Sequence, residues 1–244
     1  VRLTPEGESL VPLAKHLLAQ WDNTEERLRQ RFTLQLGRLG VAAMPAFASN
    51  LLPAALVRFR QQHPKINITV HDVINEEVID MVRSRQVEMG IAFAPEGLGS
   101  LHFTPLFDDR FVAVVPRNSQ LAQLNQLTWT EMIRQDFITL QRPSMVRRQL
   151  EQALEKRATV LPVAFESHQL ATVGRMVADG LGVSAVPSMC IQQMTELGAH
   201  CIPLTRPDIS CQVGILTHQE LSVAAQALRD VLRDTVQAPS LDPG

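Results

Sequence analysis

Tyrosine is absent from these 244 residues, and cysteine occurs only three times. The missing tyrosine removes one of the side chains that enzymes use as a general acid or base. A small, odd number of cysteines cannot build a disulfide framework, and this favours a reducing compartment. Apolar runs of the roughly 20 residues that a membrane helix needs are missing, and the amino terminus does not resemble a signal peptide. These absences predict a soluble, cytoplasmic protein with no membrane partner.

A strong net charge and the common catalytic motifs are absent as well. Lys and Arg number 23 against 25 Asp and Glu, so the composition carries no basic signature of a nucleic-acid-binding domain. The sequence contains no phosphate-binding loop, no dinucleotide-binding fingerprint and no nucleophile elbow. Its seven histidines are scattered, without the His-x-x-x-His spacing of many zinc sites. We therefore predict no enzyme activity, no cofactor and no metal site.

The stretch of residues 38–56 is the one around which the rest of the chain is organised. Its apolar start predicts a short strand, and Pro45 ends that strand because proline has no backbone N–H for the ladder. Ser49 or Asn50 is then predicted to cap a helix. A strand that leads into a helix amino terminus is a common ligand position in α/β proteins, because free backbone N–H groups point outward there. The alternative is an ordinary strand–helix unit without a ligand.

Short strands and helices alternate along the rest of the chain. Residues 66–70 and 89–93 have the pattern of strands, and Asn75 is placed to cap the helix between them. The order strand–helix–strand–helix–strand predicts parallel strands joined by crossovers. A second series of strands and helices follows from the apolar strand at 111–115 and includes a strand at 137–140. Its helices are predicted to begin at Thr128, Ser144, Ser167 and Ser222, and Gly180 is predicted to end the helix that Ser167 opens. The sequence therefore predicts an α/β protein with two lobes and a cleft between them.

The first 31 residues differ from this alternation and predict one long helix. Thr4 is a suitable N-cap, and Pro5 suits the first helical position. Apolar residues then recur at intervals of four and three, as in helices that pack against a partner helix. The residues of this stripe are Leu10, Ala14, Leu17, Trp21 and Leu28. We expect a partner helix on the stripe; the alternative is packing against the chain's own domain.

Four segments, taken together and in their order, resemble the LysR family of transcriptional regulators. They are residues 2–8 (RLTPEGE), residues 40–64 with their Gly-Val-Ala and Leu-Leu-Pro motifs, residues 111–116 (FVAVVP) and residues 177–187 (VADGLGVSAVP). The resemblance covers residues 1–234. It implies a two-lobed effector-binding domain that resembles type 2 periplasmic solute-binding proteins, preceded by a long linker helix. The first segment resembles the end of the family's winged helix-turn-helix, so we expect most of that DNA-binding domain to be missing from this sequence.

The resemblance also implies how the chain is divided. The expected parts are residues 1–31 for the end of the wing and the dimerisation helix, 38–112 with 217–236 for lobe I, 113–216 for lobe II, and 237–244 for a disordered tail. A regulator of this family binds a small-molecule effector between its lobes, and the effector controls DNA binding and transcription. The implied partners are therefore this effector, promoter DNA through the missing domain, and further copies of the chain in dimers or tetramers.

The expected effector is a carboxylate or an aromatic acid, bound where strand ends face the cleft. The candidate residues are Met44, Pro45, Phe47, Ser49, Val73 and Ala94 in lobe I, and Arg142, Ser144, Ser167 and His168 in lobe II. Ser49 and Ser144 would hold the carboxylate together with nearby backbone N–H groups, and Arg142 would add a charge-assisted hydrogen bond. Met44 and Phe47 would cover an apolar body. The alternative for each serine is a helix cap without a ligand.

A solute-binding protein is the alternative function, because it shares the two-lobed architecture. Such a protein needs an export signal and has no use for a long amphipathic helix ahead of its first strand. The segment Leu3-Thr4-Pro5-Glu6-Gly7 together with that helix favours the regulator.

Overall fold

A computed structural model describes residues 4–32 and 37–236 of the chain. They divide into unit 1, which extends to Leu106 and resumes at Gly214–Val236, and unit 2, Phe107–Val213. The sequence placed these boundaries after residues 112 and 216. Residues 1–3 of the expected wing and the tail at 237–244 lie outside the described residues. None of the helices described is both long and apolar enough to cross a membrane.

The described elements alternate as the sequence predicts. In chain order they are α1 (Pro5–Phe32), β1 (Gly37–Ala43), α2 (Pro45–Asn50), α3 (Leu52–Gln62), β2 (Ile66–Asp72), α4 (Asn75–Arg83), β3 (Met89–Phe93), β4 (His102–Pro116), β5 (Leu127–Thr128), α5 (Trp129–Met132), β6 (Phe137–Leu140), α6 (Met145–Glu155), β7 (Val163–Ser167), α7 (Leu170–Ala178), β8 (Ser184–Pro187), α8 (Ile191–Glu196), β9 (Ala199–Thr205), β10 (Ser210–Thr217) and α9 (Val223–Thr235). Short 3₁₀ turns occupy Gln120–Gln123 and Ser188–Cys190.

Unit 1 contains the predicted set of parallel strands. β1 pairs in parallel with β2 on one side and β3 on the other, with Val41 opposite both Val70 and Met89. The strand order is β2-β1-β3-β10-β4. β1 is apolar and its last five residues include four that are fully or almost fully buried, as expected for a parallel strand covered on both faces. The predicted strand–helix alternation is therefore confirmed.

The core of unit 1 lies where α4 packs on this sheet. Val78 and Val82 of α4 pack with Ala42 and Leu216 of the strands. A Cβ atom on Gly90 would lie 2.7 Å from a methyl carbon of each of these two valines. Glycine in β3 therefore permits the close approach of the helix to the sheet.

Unit 2 mixes antiparallel and parallel pairs. β4 pairs antiparallel with β8 and with β9, while β5 pairs with β9 and β6 with β7 in parallel. The predicted caps Thr128 and Ser144 are confirmed, and Thr128 forms a full capping box with Glu131. Gly180 has a φ of +85° and ends α7, also as predicted. The sequence did not predict β9 or α8.

Helix α1 is confirmed, and its large apolar side chains are exposed. Its start is fixed by Thr4, whose Oγ1 accepts the N–H of Gly7 at 3.2 Å. Leu10, Leu17 and Trp21 are 62%, 65% and 72% exposed. Ala14 is half-buried, and the side chain of Leu28 lies outside the described residues. The described part of unit 1 therefore leaves most of the predicted stripe without a partner.

Candidate functional site

The carboxyl ends of β1, β2 and β3 lie side by side, and we call this place the unit 1 edge. The N–H of Met44 donates to the carbonyl of Ile91 at 3.0 Å, and the N–H of Val73 donates to the carbonyl of Ala43 at 3.2 Å. Met44 and Val73 directly follow β1 and β2, and these bonds join them to β3 and to the last residue of β1, while Ala94 directly follows β3. The structure thus brings together three predicted residues at this edge, Met44, Val73 and Ala94.

The chain after β1 enters a helix earlier than predicted. Pro45 begins α2 directly behind Met44, because its fixed φ suits the first helical position. The prediction that Ser49 or Asn50 caps the next helix is wrong: Ser49 is exposed inside α2, and the Asn50 Nδ2 donates to the carbonyl oxygen of Ala46 at 2.7 Å. Behind Ser49, the N–H of Leu51 donates to the carbonyl of Phe47 at 3.0 Å.

The apolar residues of this segment are buried to different degrees. Phe47 is fully buried and Met44 is 2% exposed, while Pro45 is half-buried. Phe47 therefore belongs to the core of unit 1 and is not part of an open wall. Of the three, Pro45 is the most accessible in the structure.

Asn75 adds a polar group to the unit 1 edge that the sequence assigned to another role. The predicted cap is wrong by one residue, because Ile74 is the N-cap of α4 and Asn75 is its first residue. The Asn75 Oδ1 instead accepts the N–H of Phe93, at the end of β3, at 2.8 Å. Asn75 is 4% exposed, and its Nδ2 has no hydrogen-bond partner among the described residues. A buried donor left unpaired costs about 1–3 kcal/mol, so this amide offers a bond to an added acceptor.

The ends of β6 and β7 form a second place of this kind, which we call the unit 2 edge. The N–H of Gln141 donates to the carbonyl of Ser167 at 2.8 Å. The remaining predicted residues follow or end these two parallel strands and are Arg142, Ser144, Ser167 and His168.

The hydroxyl groups of the unit 2 edge face local backbone donors. The Ser144 Oγ accepts the N–H of Arg147 at 3.5 Å and so caps α6. The prediction that Ser167 opens a helix is wrong, because α7 begins at Leu170. The Ser167 Oγ accepts the N–H of Gln169 at 3.5 Å, in the turn before that helix. His168 is exposed in the same turn.

Charged groups at the unit 2 edge are already paired with one another. The Nη2 of Arg142 donates to both carboxylate oxygens of Glu151, at 2.9 and 3.0 Å. Arg147, which is 8% exposed, donates from Nε to Glu151 at 2.8 Å and from Nη1 to Glu166 at 2.6 Å. Two cations and two anions form one balanced network, which we call the unit 2 ion network. Arg142 therefore has a carboxylate partner within its own unit.

The sequence analysis missed the central residue of this network, Arg147. The one local signal was the spacing of four between Arg147 and Glu151 in a predicted helix, which suits an ion pair. Burial by itself raises the pKa of Glu151, but the hydrogen bonds from Arg147 and Arg142 outweigh burial. They hold the pKa of Glu151 below its ordinary value of 4.5.

Thiol and metal chemistry have little basis in the described structure. Burial raises the pKa of the Cys201 and Cys211 thiols to about 12. Such thiols are almost wholly protonated at neutral pH and are weak nucleophiles. Between residues 4 and 236, the described His, Cys, Asp and Glu side chains form no group of three or more that would hold a metal ion.

Comparison with known proteins gives a consistent result. The family model for the LysR substrate binding domain matches residues 33–237. The chain is 28% identical over 228 residues to an uncharacterized HTH-type transcriptional regulator of Escherichia coli K12, YbhD, and the match covers 93% of this chain and 72% of that protein.

Two solved structures share the fold at low sequence identity. The effector binding domain of QuiR in complex with shikimate has a TM-score of 0.73 and 15% identity, over 82% of this chain and 96% of QuiR. The Synechocystis CcmR regulatory domain in complex with 2-PG has a TM-score of 0.74 and 20% identity, over 84% of this chain and all (100%) of that chain.

Proposed function

This chain belongs to the LysR family of transcriptional regulators, and we propose that it senses a small-molecule effector at the unit 1 edge. The observation that carries the proposal is the buried Asn75 amide, whose Nδ2 has no partner in the described residues. Family membership decides against the alternative of a solute-binding protein. The relatives that match this chain are transcriptional regulators.

The proposed ligand presents an acceptor oxygen to Asn75. α4 begins at this residue without a side-chain cap, so its first backbone N–H groups add further donors. Glu76 and Glu77 place negative charge in the same turn, which favours an acceptor carrying no more than one charge. A small carboxylate or aromatic acid meets these conditions. The complexes of QuiR with shikimate and of CcmR with 2-PG support a small-molecule effector for this fold.

The half-buried residues Pro45, Val73 and Ala94 supply the accessible apolar surroundings of the proposed contact, and the buried Met44 precedes Pro45 in the chain. Contacts to Ser49 and Phe47 have less support, since one is exposed in α2 and the other is fully buried. The contribution of Arg142, Ser144, Ser167 and His168 stays a prediction. Their polar groups have local partners or, for His168, an exposed position, so a ligand bond to Arg142 competes with Glu151.

Calorimetric screening of small carboxylates and aromatic acids tests the effector site. For a ligand that binds the wild type, Met44→Asp is expected to weaken binding at least about tenfold, because it places a carboxylate beside the proposed acceptor group. Met44→Leu is the matched control and should retain most of the affinity. Ser144→Ala tests unit 2 in the same experiment. If neither Met44→Asp nor Ser144→Ala changes the affinity for the ligand, the ligand binds at another site.

We also propose that α1 pairs with the α1 of a second copy. Burial of a large apolar side chain contributes roughly 1.5–3 kcal/mol of free energy, and this contribution is missing while Leu10, Leu17 and Trp21 are exposed to water. A second copy of the chain presents the same stripe and can cover these side chains. Promoter DNA binding would belong to the winged domain that the first residues resemble, and it stays a prediction.

Leu17→Asp tests the helix contact by analytical ultracentrifugation. A charge in the middle of the stripe is expected to raise the dissociation constant of the dimer by about a hundredfold or more, since an unpaired charge at an apolar interface costs several kcal/mol. Leu98→Asp is the control, because Leu98 is also exposed in unit 1 but lies outside α1. Equal dissociation constants for the two variants would exclude α1 as the contact.

A further inference from the structure

A cavity of about 580 Å³ lies within unit 1, between α1 and the surface formed by β2 and α4. Its volume falls in the range of small-molecule sites, about 300–1,000 Å³. Of the residues at the unit 1 edge described above, Val73 alone also lines this cavity. The cavity therefore differs from the proposed effector site in most of its residues and needs its own explanation.

The cavity lies on the side of α1 away from the exposed stripe. Val11 and Lys15 line it, and Ala19, four residues further along, is buried. At 3.6 residues per turn, positions 11, 15 and 19 share one side of a helix, and Leu17 points to the other. A molecule in the cavity can thus contact α1 without covering the stripe proposed to pair with a second copy.

Two charges of opposite sign in the cavity lack partners. Arg83 and Asp80 pair with each other at 2.8 Å. Lys15 and Glu77 also line the cavity, and both are exposed. Neither side chain forms an ion pair or hydrogen bond with the other or with another described residue. His71 lines the cavity as well, and it too has no partner within residues 4–32 and 37–236. One cation and one anion are therefore available to a ligand.

The rest of the wall is largely apolar. Val11 and Pro12 contribute from α1, and Val73 and Met81 contribute from the sheet side. Met81 also packs against the buried core of unit 1, so this wall is continuous with well-packed structure. A ligand with an apolar body gains free energy by covering these side chains, at about 25 cal/mol per Å² of apolar area.

We propose that this cavity binds a zwitterionic small molecule of the α-amino-acid type with an apolar side chain. Its carboxylate would contact Lys15, its ammonium group would contact Glu77, and its side chain would lie against the apolar wall. A ligand with only one of the two charges leaves the other protein charge unpaired. This site does not depend on the proposed effector site, and the two can be tested separately.

The ligand would connect α1 to α4 and so stabilise the docked position of α1. A molecule that contacts both elements favours the arrangement in which both contacts exist. By reciprocity, docking of α1 raises the affinity for the ligand by the same factor by which the ligand stabilises the docked helix. The affinity of this site for its ligand would therefore depend on whether α1, which carries the exposed stripe, is docked.

Calorimetry with three matched probes tests the proposed chemistry on the intact chain. L-phenylalanine carries both charges, 3-phenylpropanoate lacks the ammonium group and 2-phenylethylamine lacks the carboxylate. We expect each single-charge probe to bind about two- to fivefold more weakly than L-phenylalanine, because an ion pair with an exposed side chain is worth about that factor. L-leucine and L-methionine extend the test to other apolar side chains.

Variants locate the binding. Lys15→Met and Glu77→Gln should each weaken L-phenylalanine binding about two- to fivefold, while Lys156→Met and Glu155→Gln in unit 2 are the matched controls and should not. Hydrogen exchange should slow in the first half of α1 when the ligand is bound. Asn75→Asp should leave this binding unchanged.

The proposal is wrong if none of the three amino acids binds more tightly than the single-charge probes. It is also wrong if Lys15→Met and Glu77→Gln keep wild-type affinity. Loss of binding in Asn75→Asp alone would assign the amino acid to the unit 1 edge and overturn the second site.

Discussion

The two strand edges hold their polar groups in opposite states. At the unit 1 edge, the buried Asn75 amide keeps one donor without a partner among apolar neighbours. At the unit 2 edge, Arg142, Arg147, Glu151 and Glu166 are joined in one network. An unpaired buried donor costs folding free energy that a ligand can recover. A fully paired network stabilises its unit. A ligand can bond to one of these arginines or glutamates only by replacing its present partner.

The largest effect is expected from Arg147→Met, which breaks the unit 2 ion network at its centre. Removing one partner of a buried ion pair typically costs 3–5 kcal/mol, and we expect about 3 kcal/mol because both glutamates keep some contact with water. Urea denaturation measures the free energy of unfolding.

Arg148→Met is the control for that measurement. It lies next in the same helix but is exposed, so its loss should cost less than about 1 kcal/mol. Similar losses for the two variants would mean that the network does not stabilise unit 2.

A smaller effect is expected from Arg142→Ala, which removes the exposed member of the same network. The Arg142 side chain is 71% exposed in its ion pair with Glu151. The free energy of unfolding at neutral pH should therefore fall by about 0–1 kcal/mol in the variant. The pKa of Glu151 in the folded protein should then rise toward its ordinary value.

The pH dependence of this variant follows from the sign of the shift. The pKa of Glu151 is lowered in the folded state, so its stabilisation is complete above the unfolded pKa of about 4.5 and is lost as the pH falls through the folded pKa. In Arg142→Ala this loss should be smaller and should be complete at a higher pH, because the folded pKa of Glu151 then lies closer to the unfolded one. Urea denaturation at several pH values between 7 and 3 measures this for the wild type and the variant. The account would be contradicted if the free energy of unfolding of the two proteins fell by the same amount over the same pH range.

The sequence predicted what local patterns determine. The strands β3 and β6 and the caps Thr128, Ser144 and Ser222 depend on residues within a few positions of one another, and the structure confirms them. The parallel order of the first three strands also followed from their alternation with helices.

The features that the sequence missed depend on distant partners. Asn75 suits a helix cap by its type, but its Oδ1 bonds Phe93, which lies 18 positions away. Arg147 is one of two adjacent arginines, and only the pairing of β6 with β7 brings Glu166 to it. The prediction that Ser49 caps a helix was wrong for a local reason. Pro45 prefers the first helical position, so the helix begins about one turn earlier than predicted.

The most direct test of the central claim follows the Asn75 side-chain amide by NMR in ¹⁵N-labelled protein, with Asn75→Asp used to assign its signals. The aspartate keeps an acceptor for the Phe93 N–H and lacks the unpaired donor, and urea denaturation measures how far the buried charge lowers its free energy of unfolding. Titration with an acid found in the screen should shift the Asn75 NH₂ signals and slow their exchange, and the variant should bind at least about tenfold more weakly. Saturation of the protein without any change in these signals, together with unchanged affinity in Asn75→Asp, would contradict an effector site at the unit 1 edge.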